Sequence, residues 1–231
     1  MPNGLFRAIG AVMVCSAVLS AGDTALSQGC MPAVPGGAIV EGEPSCGQPV
    51  DTLNGGCNSP TTAVQTVPAN CTIVGTLLDS LPSTFDTDTF EFTLPEPGGN
   101  VTVTAWADYP VYAALDDTLC STPLLSVGLS AGCEPAQASV ISLPAGRHRL
   151  LVTTFPGTVA CGSPYVASIK TCPCPGDFNG DCVVNSADLV MMLGRFGRTD
   201  QAPYSVGDLN NDRAVSTPDL VIFIARFGCA G

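Results

Sequence analysis

Thr89-Phe-Glu-Phe-Thr-Leu94 puts Phe90, Phe92 and Leu94 on one side of an extended chain and Thr89, Glu91 and Thr93 on the other. A period of two is the mark of a strand with one buried and one wetter face. Val101-Thr-Val-Thr-Ala105 alternates in the same way, and residues 111–115, 140–143, 149–154 and 165–169 continue the series. Between them stand Pro95-Glu-Pro-Gly-Gly99, Leu129-Ser-Ala-Gly132 and Leu143-Pro-Ala-Gly146, whose Pro and Gly supply turn conformations. Roughly seven short strands without a long helical pattern predict a mainly β domain, an antiparallel β-sandwich of jelly-roll type, over residues 71–171.

The chain has 231 residues and 45% of them are hydrophobic, enough for a sizeable core. Lys and Arg number 8 against 20 Asp and Glu, a formal charge of −12 that argues against a nucleic-acid partner. One histidine cannot supply a two-histidine zinc site. Residues 1–27 read as an export leader: Arg7, then the small apolar run 8–21, then Ala25-Leu-Ser27 as the cleavage site, with Ala21-Gly22 as a rival and an N-terminal anchor as the alternative. No second apolar run is long enough for a membrane span in the mature form.

The chain holds 12 cysteines, and Cys15 leaves with the leader, so an odd number remains. With a leader in front, these read as a disulfide framework and not as metal thiolates, with at least one thiol free or intermolecular. Cys57–Cys71, Cys120–Cys133 and Cys161–Cys172 each enclose a short loop beside predicted strands, and Cys174–Cys229 would clasp the ends of the C-terminal region, with Cys182–Cys229 as its competitor. Residues 28–70 are rich in Gly, Pro and Cys and read as an irregular, cystine-held part of the sandwich domain.

From residue 172 the pattern changes. After a stiff linker, Cys172-Pro-Cys-Pro-Gly176, an internal repeat with a 31-residue offset fills residues 177–231. Asp177, Asn179, Asp181, Asn185 and Asp188 recur as Asp208, Asn210, Asp212, Ser216 and Asp219. These are loop positions 1, 3, 5, 9 and 12 of an EF-hand-like site, with the backbone carbonyls of Val183 and Ala214 at position 7. Ca²⁺ takes six to eight hard oxygens, and a short loop of this spacing concentrates them. The expectation is two calcium ions; the alternative is two Asp- and Asn-rich turns before helices. Asn185 and Ser216 are helix N-cap types with Asp188 and Asp219 three residues on. Leu189, Val190, Leu193 and Phe196, repeated as Leu220, Val221, Ile224 and Phe227, form one apolar helical face each, predicted to pack on each other.

These residues resemble the dockerin module, a duplicated calcium loop plus helix. The resemblance implies a small all-α calcium module that docks on a cohesin-like or other protein scaffold, in assemblies for extracellular polysaccharide breakdown. Two departures stand out: position 6, usually Gly, is Cys182 and Arg213, and the partner-facing pairs are Leu193-Gly194 and Ile224-Ala225. Further upstream, Asp51-Thr-Leu-Asn-Gly-Gly-Cys57-Asn-Ser-Pro60, Asp86-Thr-Asp88-Thr-Phe90, Leu143-Pro-Ala-Gly146 and Tyr165-x-x-Ser-Ile169 resemble the bacterial pre-peptidase C-terminal domain. That family is a non-catalytic β-sandwich of secreted proteins, and it implies Asp86 and Asp88 as a weak metal site; the other reading is a solvated turn before a strand.

Catalytic constellations are sparse. A Ser-His-Asp site must use His148, whose place in Arg147-His-Arg149 reads as a solvated strand edge. Glu91 and Asp116-Asp117 are the acids available for glycoside hydrolysis, and Trp106 or Tyr109 for stacking on a carbohydrate. The sequence therefore reads as a secreted or cell-surface, non-catalytic binding protein, against a small glycosidase-type hydrolase or a surface structural protein.

Overall fold

The structure is a computed structural model, and it describes residues 30–42, 53–56, 63–77, 86–116, 124–155 and 159–231. The leader, Cys57, Asp117 and Cys120 lie outside the described residues. The described strands are β1 (Ile39–Val40), β2 (Gln65–Thr66), β3 (Cys71–Leu77), β4 (Thr87–Leu94), β5 (Gly99–Trp106), β6 (Val111–Asp116), β7 (Ser126–Ser130), β8 (Ala136–Leu143), β9 (Gly146–Thr153) and β10 (Ser163–Cys172). Two short helices follow, α1 (Ser186–Leu193) and α2 (Thr217–Arg226).

The strands form two five-stranded sheets, ordered β1-β3-β10-β5-β8 and β2-β4-β9-β6-β7. Alternation decides which face each strand buries. Phe90, Phe92 and Leu94 of β4 face inward against Val101 and Val103 of β5, Leu150 and Val152 of β9, and Tyr165 and Ile169 of β10 in one core. The expectation of a purely antiparallel sandwich needs correction at the edges. β1 runs parallel to β3 and β2 parallel to β4, each two residues long and drawn from the segment read as irregular. Such short edge strands cap the sheets without offering a long template for further pairing.

β7 inverts the usual pattern. Val127 and Leu129 are exposed while Gly128 and Ser130 are buried. A Cβ on Gly128 would collide with the backbone of Gln137, so the missing side chain is what lets β7 lie this close to β8. His148 also differs from expectation. It is buried in β9 opposite Phe92, with Nε2 donating to the Pro144 carbonyl at 2.8 Å, and is not a solvated edge residue.

The cystines depart from local pairing. Cys133 bridges to Cys30, not Cys120, because its turn is anchored to β5's exit by its N–H on the Ala107 carbonyl and there meets the incoming chain. Cys172 bridges to Cys182, not Cys161, because the chain reverses at Gly176, where φ is +101°, and returns residue 182 to the end of β10. Cys161 is disulfide-bonded elsewhere. Cys71 is a free thiol, not a partner of Cys57, and packs against the sandwich core. Cys174 and Cys229 are joined, with Cα atoms 5.8 Å apart.

Burial raises the Cys71 thiol above its ordinary pKa, and a thiol must ionise to react. Non-reducing peptide mapping should therefore recover the fragments Cys30–Cys133, Cys172–Cys182 and Cys174–Cys229, with Cys71 alkylated slowly in the native protein and rapidly in denaturant. A fragment joining Cys71 to another cysteine would contradict this arrangement. Removing Cys30 and Cys133 together should lower stability by about 2–5 kcal/mol in denaturant unfolding.

Candidate metal centre in the duplicated loops

The two acidic loops match almost bond for bond. Asp188 is the third residue of α1, and its Oδ1 accepts the N–H groups of Phe178 (2.8 Å) and Asn179 (3.1 Å) while Oδ2 accepts that of Asn185 (2.9 Å). Asp219 of α2 does the same with Leu209 (2.9 Å), Asn210 (3.2 Å) and Ser216 (2.9 Å). Asp177 accepts from Asp181 (3.2 Å) and Cys182 (2.9 Å), and Asp208 from Asp212 (3.1 Å) and Arg213 (2.9 Å). Asn179 and Asn210 donate to Asp181 and Asp212 at 2.9 and 2.8 Å. Asn185 caps α1 by accepting the Ala187 N–H at 2.7 Å.

Each loop is also tied to the far end of the other repeat. Val184 N–H donates to the Cys229 carbonyl and Gly228 N–H to the Val184 carbonyl; Val215 pairs with Arg198 and Gly197 in the same way. The relation is an approximate two-fold exchange of the repeats. Cys182 and Arg213, at position 6, both adopt positive φ (64° and 70°), the left-handed conformation that favours Gly there.

The helices pack differently from the expected apolar stripes. Because Asp188 and Asp219 must point into the loops, the residues four further on, Met192 and Phe223, share that face and are fully buried. The small core beneath them contains Phe178, Val184 and Val215, with Phe178 stacked on Phe223 at a centroid distance of 6.0 Å. The predicted stripe is split: Leu189 and Leu220 are half-buried against this core, while Val190 is 69% exposed, Leu193 52%, Val221 62% and Ile224 63%.

A divalent cation fits this donor set. Asp177, Asp188 and Asp219 are fully buried and Asp208 nearly so, yet among the described residues the salt bridges reach only Glu91. Carboxylates buried without a counter-charge are strongly unfavourable, and a Ca²⁺ in each loop would supply it. Asn179, Asp181 and Asn185, with the Val183 carbonyl, would complete the oxygen set for an ion in loop 1, and Asn210, Asp212, Ser216 and the Ala214 carbonyl that for one in loop 2.

Elsewhere the predicted residues are dispersed or occupied. Asp88 is fully buried in β4 and not in a solvated turn, and Asp86 precedes the strand. Tyr109's hydroxyl donates to the Ser163 carbonyl, and its pKa is raised first by burial and then by the charges of Asp88, Asp108, Asp86 and Glu41. Glu91 is held by Arg149 at 2.8 Å and Arg147 at 3.6 Å, while Asp116 lies across from Arg149 in register. Sequence reasoning missed Arg149 as Glu91's buried partner; register across β4 and β9 is the signal that pairs them.

The carboxyl of Asp208 is pushed above its ordinary pKa, first by burial and then by the charges of Asp219 and Asp212, against the pull of two backbone N–H groups. A folded-state pKa above the unfolded one means that loop 2, without metal, holds this stability below the unfolded value and loses it as pH rises through the folded value. In chelator, Asp208→Asn should raise the melting temperature at pH 7 and flatten its pH dependence; in saturating Ca²⁺ the same variant should lower it. Differential scanning calorimetry at several pH values checks both signs.

No family model and no curated protein matches the chain. Solved structures similar over part of it include these two. One is the pre-peptidase C-terminal domain of a collagenase from Bacillus anthracis, at 18% identity over 46% of this chain and 94% of that one, with a TM-score of 0.37. The other is PliG of Aeromonas hydrophila, a periplasmic inhibitor of g-type lysozyme, at 14% identity over 46% of this chain and 96% of that one, with a TM-score of 0.29. At these scores neither likeness assigns a family or a function.

Proposed function

We propose that the chain is an exported, non-catalytic binding protein whose C-terminal repeat is a dockerin-type, calcium-dependent docking module. The observation that carries the reading is the outward pair of apolar helix faces, Val190, Leu193 and Phe196 on one repeat and Val221, Ile224 and Phe227 on the other, standing over buried uncompensated carboxylates. Exposed apolar patches of this kind mark interaction surfaces. Calcium, when bound, would supply the positive charge that the buried loop carboxylates lack. The chain's own residues then do the docking: Asp188 and Asp219 fix the rotation of α1 and α2 and so present the two faces. The partner is a cohesin-like or other protein scaffold, with the sandwich displaying or binding a further ligand such as a carbohydrate.

Export is supported by the cystines, which persist in oxidising compartments. Among the described residues no helix is long and apolar enough to cross a membrane. The non-catalytic reading is supported by Glu91, whose two oxygens are taken by Arg147 and Arg149.

Calorimetry should show two Ca²⁺ per chain, and binding to a cohesin-type bait should disappear in chelator. Leu193→Asp combined with Ile224→Asp should abolish bait binding while leaving the calcium heat and the helical circular dichroism unchanged. Absence of any calcium heat would overturn the reading, as would turnover of a polysaccharide by the purified chain.

A further inference from the structure

The two loops are alike within themselves and different in what they touch. Asn100 stands near the start of β5, directly opposite Cys172 at the end of β10. Its Nδ2 donates to the Asp177 carbonyl at 2.5 Å and to Asp177 Oδ2 at 3.0 Å, while its Oδ1 accepts the Ser142 N–H at 2.9 Å. Ser142 in turn accepts the Gly176 N–H on its hydroxyl at 3.2 Å. Cys172, the last residue of β10, is bridged to Cys182 of loop 1, whose N–H reaches the same Asp177 Oδ2. The two sulfurs and an Asp177 oxygen all lie within 4.8 Å of one another.

Loop 2 shows no such arrangement among the described residues. There Asp208 takes its side-chain hydrogen bonds from Asp212 and Arg213, and position 6 is Arg213, which cannot bridge. The approach to loop 2 meets the sandwich core through Tyr204, whose N–H donates to Asn211 at position 4, not to a residue of the predicted oxygen set.

We propose that Asn100 is a positioning residue for Asp177, so that loop 1 is a calcium site shared between the sandwich and the repeat, whereas loop 2 takes its ion independently of the sandwich. The inference rests on the calcium reading above. Its physical basis is the rotamer of the position 1 carboxylate. Two donors, one from each side of the junction, hold Asp177 Oδ2, and Oδ1 is left among the N–H groups of Gly180 and Asp181 inside the loop. Asn100 carries no charge, so it orients the carboxylate without competing with the metal's charge. Any free energy by which Asn100 favours the metal-bound loop must, by linkage, be returned as stabilisation of β5 and β8 when metal binds. One of the two ions thereby also fixes the docking module on the sandwich.

The test uses the full chain in two backgrounds, Asp219→Ala, which leaves loop 1, and Asp188→Ala, which leaves loop 2. In calcium titrations, Asn100→Ala should weaken binding by about fivefold or more in the first background and leave it unchanged in the second. With Asn100 intact, calcium should slow amide hydrogen exchange at residues 101–104 and 140–143 in the Asp219→Ala protein and not in the Asp188→Ala protein. This second measurement needs no change in the sandwich and stands if Asn100→Ala fails to fold. Equal loss of affinity in both backgrounds, or calcium-dependent protection in both or in neither, would overturn the inference while leaving the calcium reading intact. No calcium heat in either background would remove the calcium reading itself.

Discussion

Four carboxylates withdrawn from water, with no salt bridge to them among the described residues, organise the C-terminal quarter of the chain. Ionised groups stay in such places only when something nearby stabilises the charge. Backbone N–H groups do part of this: Asp188 and Asp219 each collect three, and Asp177 and Asp208 bind the turn that follows them. Those bonds wrap each loop around its acids and fix the rotation of the helix that begins there. Helix rotation then decides which side chains are buried, so Met192 and Phe223 go in, Leu189 and Leu220 lie at the edge of the core, and Val190, Leu193, Val221 and Ile224 go out. The exposed stripe is therefore a consequence of the loop chemistry.

The sandwich depends on a different constraint, the alternation that assigns every second residue to a common core. It leaves the outer faces free to carry polar cross-strand pairs, of which Glu91 with Arg149 is the buried example. The same geometry sets the start of β5 beside the end of β10, with Asn100 opposite Cys172. The acidic loop begins five residues later, so the junction between the two parts is set by strand pairing rather than by a flexible tether. The Cys172–Cys182 bridge and the Asn100 hydrogen bonds act across that junction.

Strands with strict alternation were legible in the sequence, because residues such as Phe90, Phe92, Val101 and Val103 carry their burial in their spacing. β7 was not, because its inward positions are Gly128 and Ser130 and its apolar residues face solvent. β1 and β2 were not, because two-residue edge strands have no period to read. The loop acids were legible through duplication, which repeats a spacing that chance turns would not keep in register. Helix orientation was misread because hydrophobicity alone was allowed to choose the buried face; the requirement that Asp188 and Asp219 point inward chooses another. Cystine pairing was legible in part: Cys174 meets Cys229 as their places at the two ends of the repeat predict, whereas Cys30 meets Cys133 across 103 residues and Cys172 meets Cys182 across ten, pairings set by the fold and not by the nearest cysteine.

Position 6 of each loop shows how far the two repeats have diverged while keeping one backbone. A side chain in the left-handed region costs roughly 1–2 kcal/mol relative to Gly, and both Cys182 and Arg213 carry that strain. At Arg213 it is opposed by local bonds, the N–H to Asp208 and the carbonyl accepting Gln201 N–H at 2.9 Å. At Cys182 the corresponding bond to Asp177 is supplemented by a covalent bond to the sandwich and by the Gly231 N–H on its carbonyl at 3.0 Å. Among the described residues loop 2 meets the sandwich only through the packing of Tyr204, while loop 1 is joined to it by a cystine and by the Asn100 hydrogen bonds. Equivalent sequence spacing has thus been given unequal mechanical support, and the difference lies entirely in residues outside the set that would touch a metal ion.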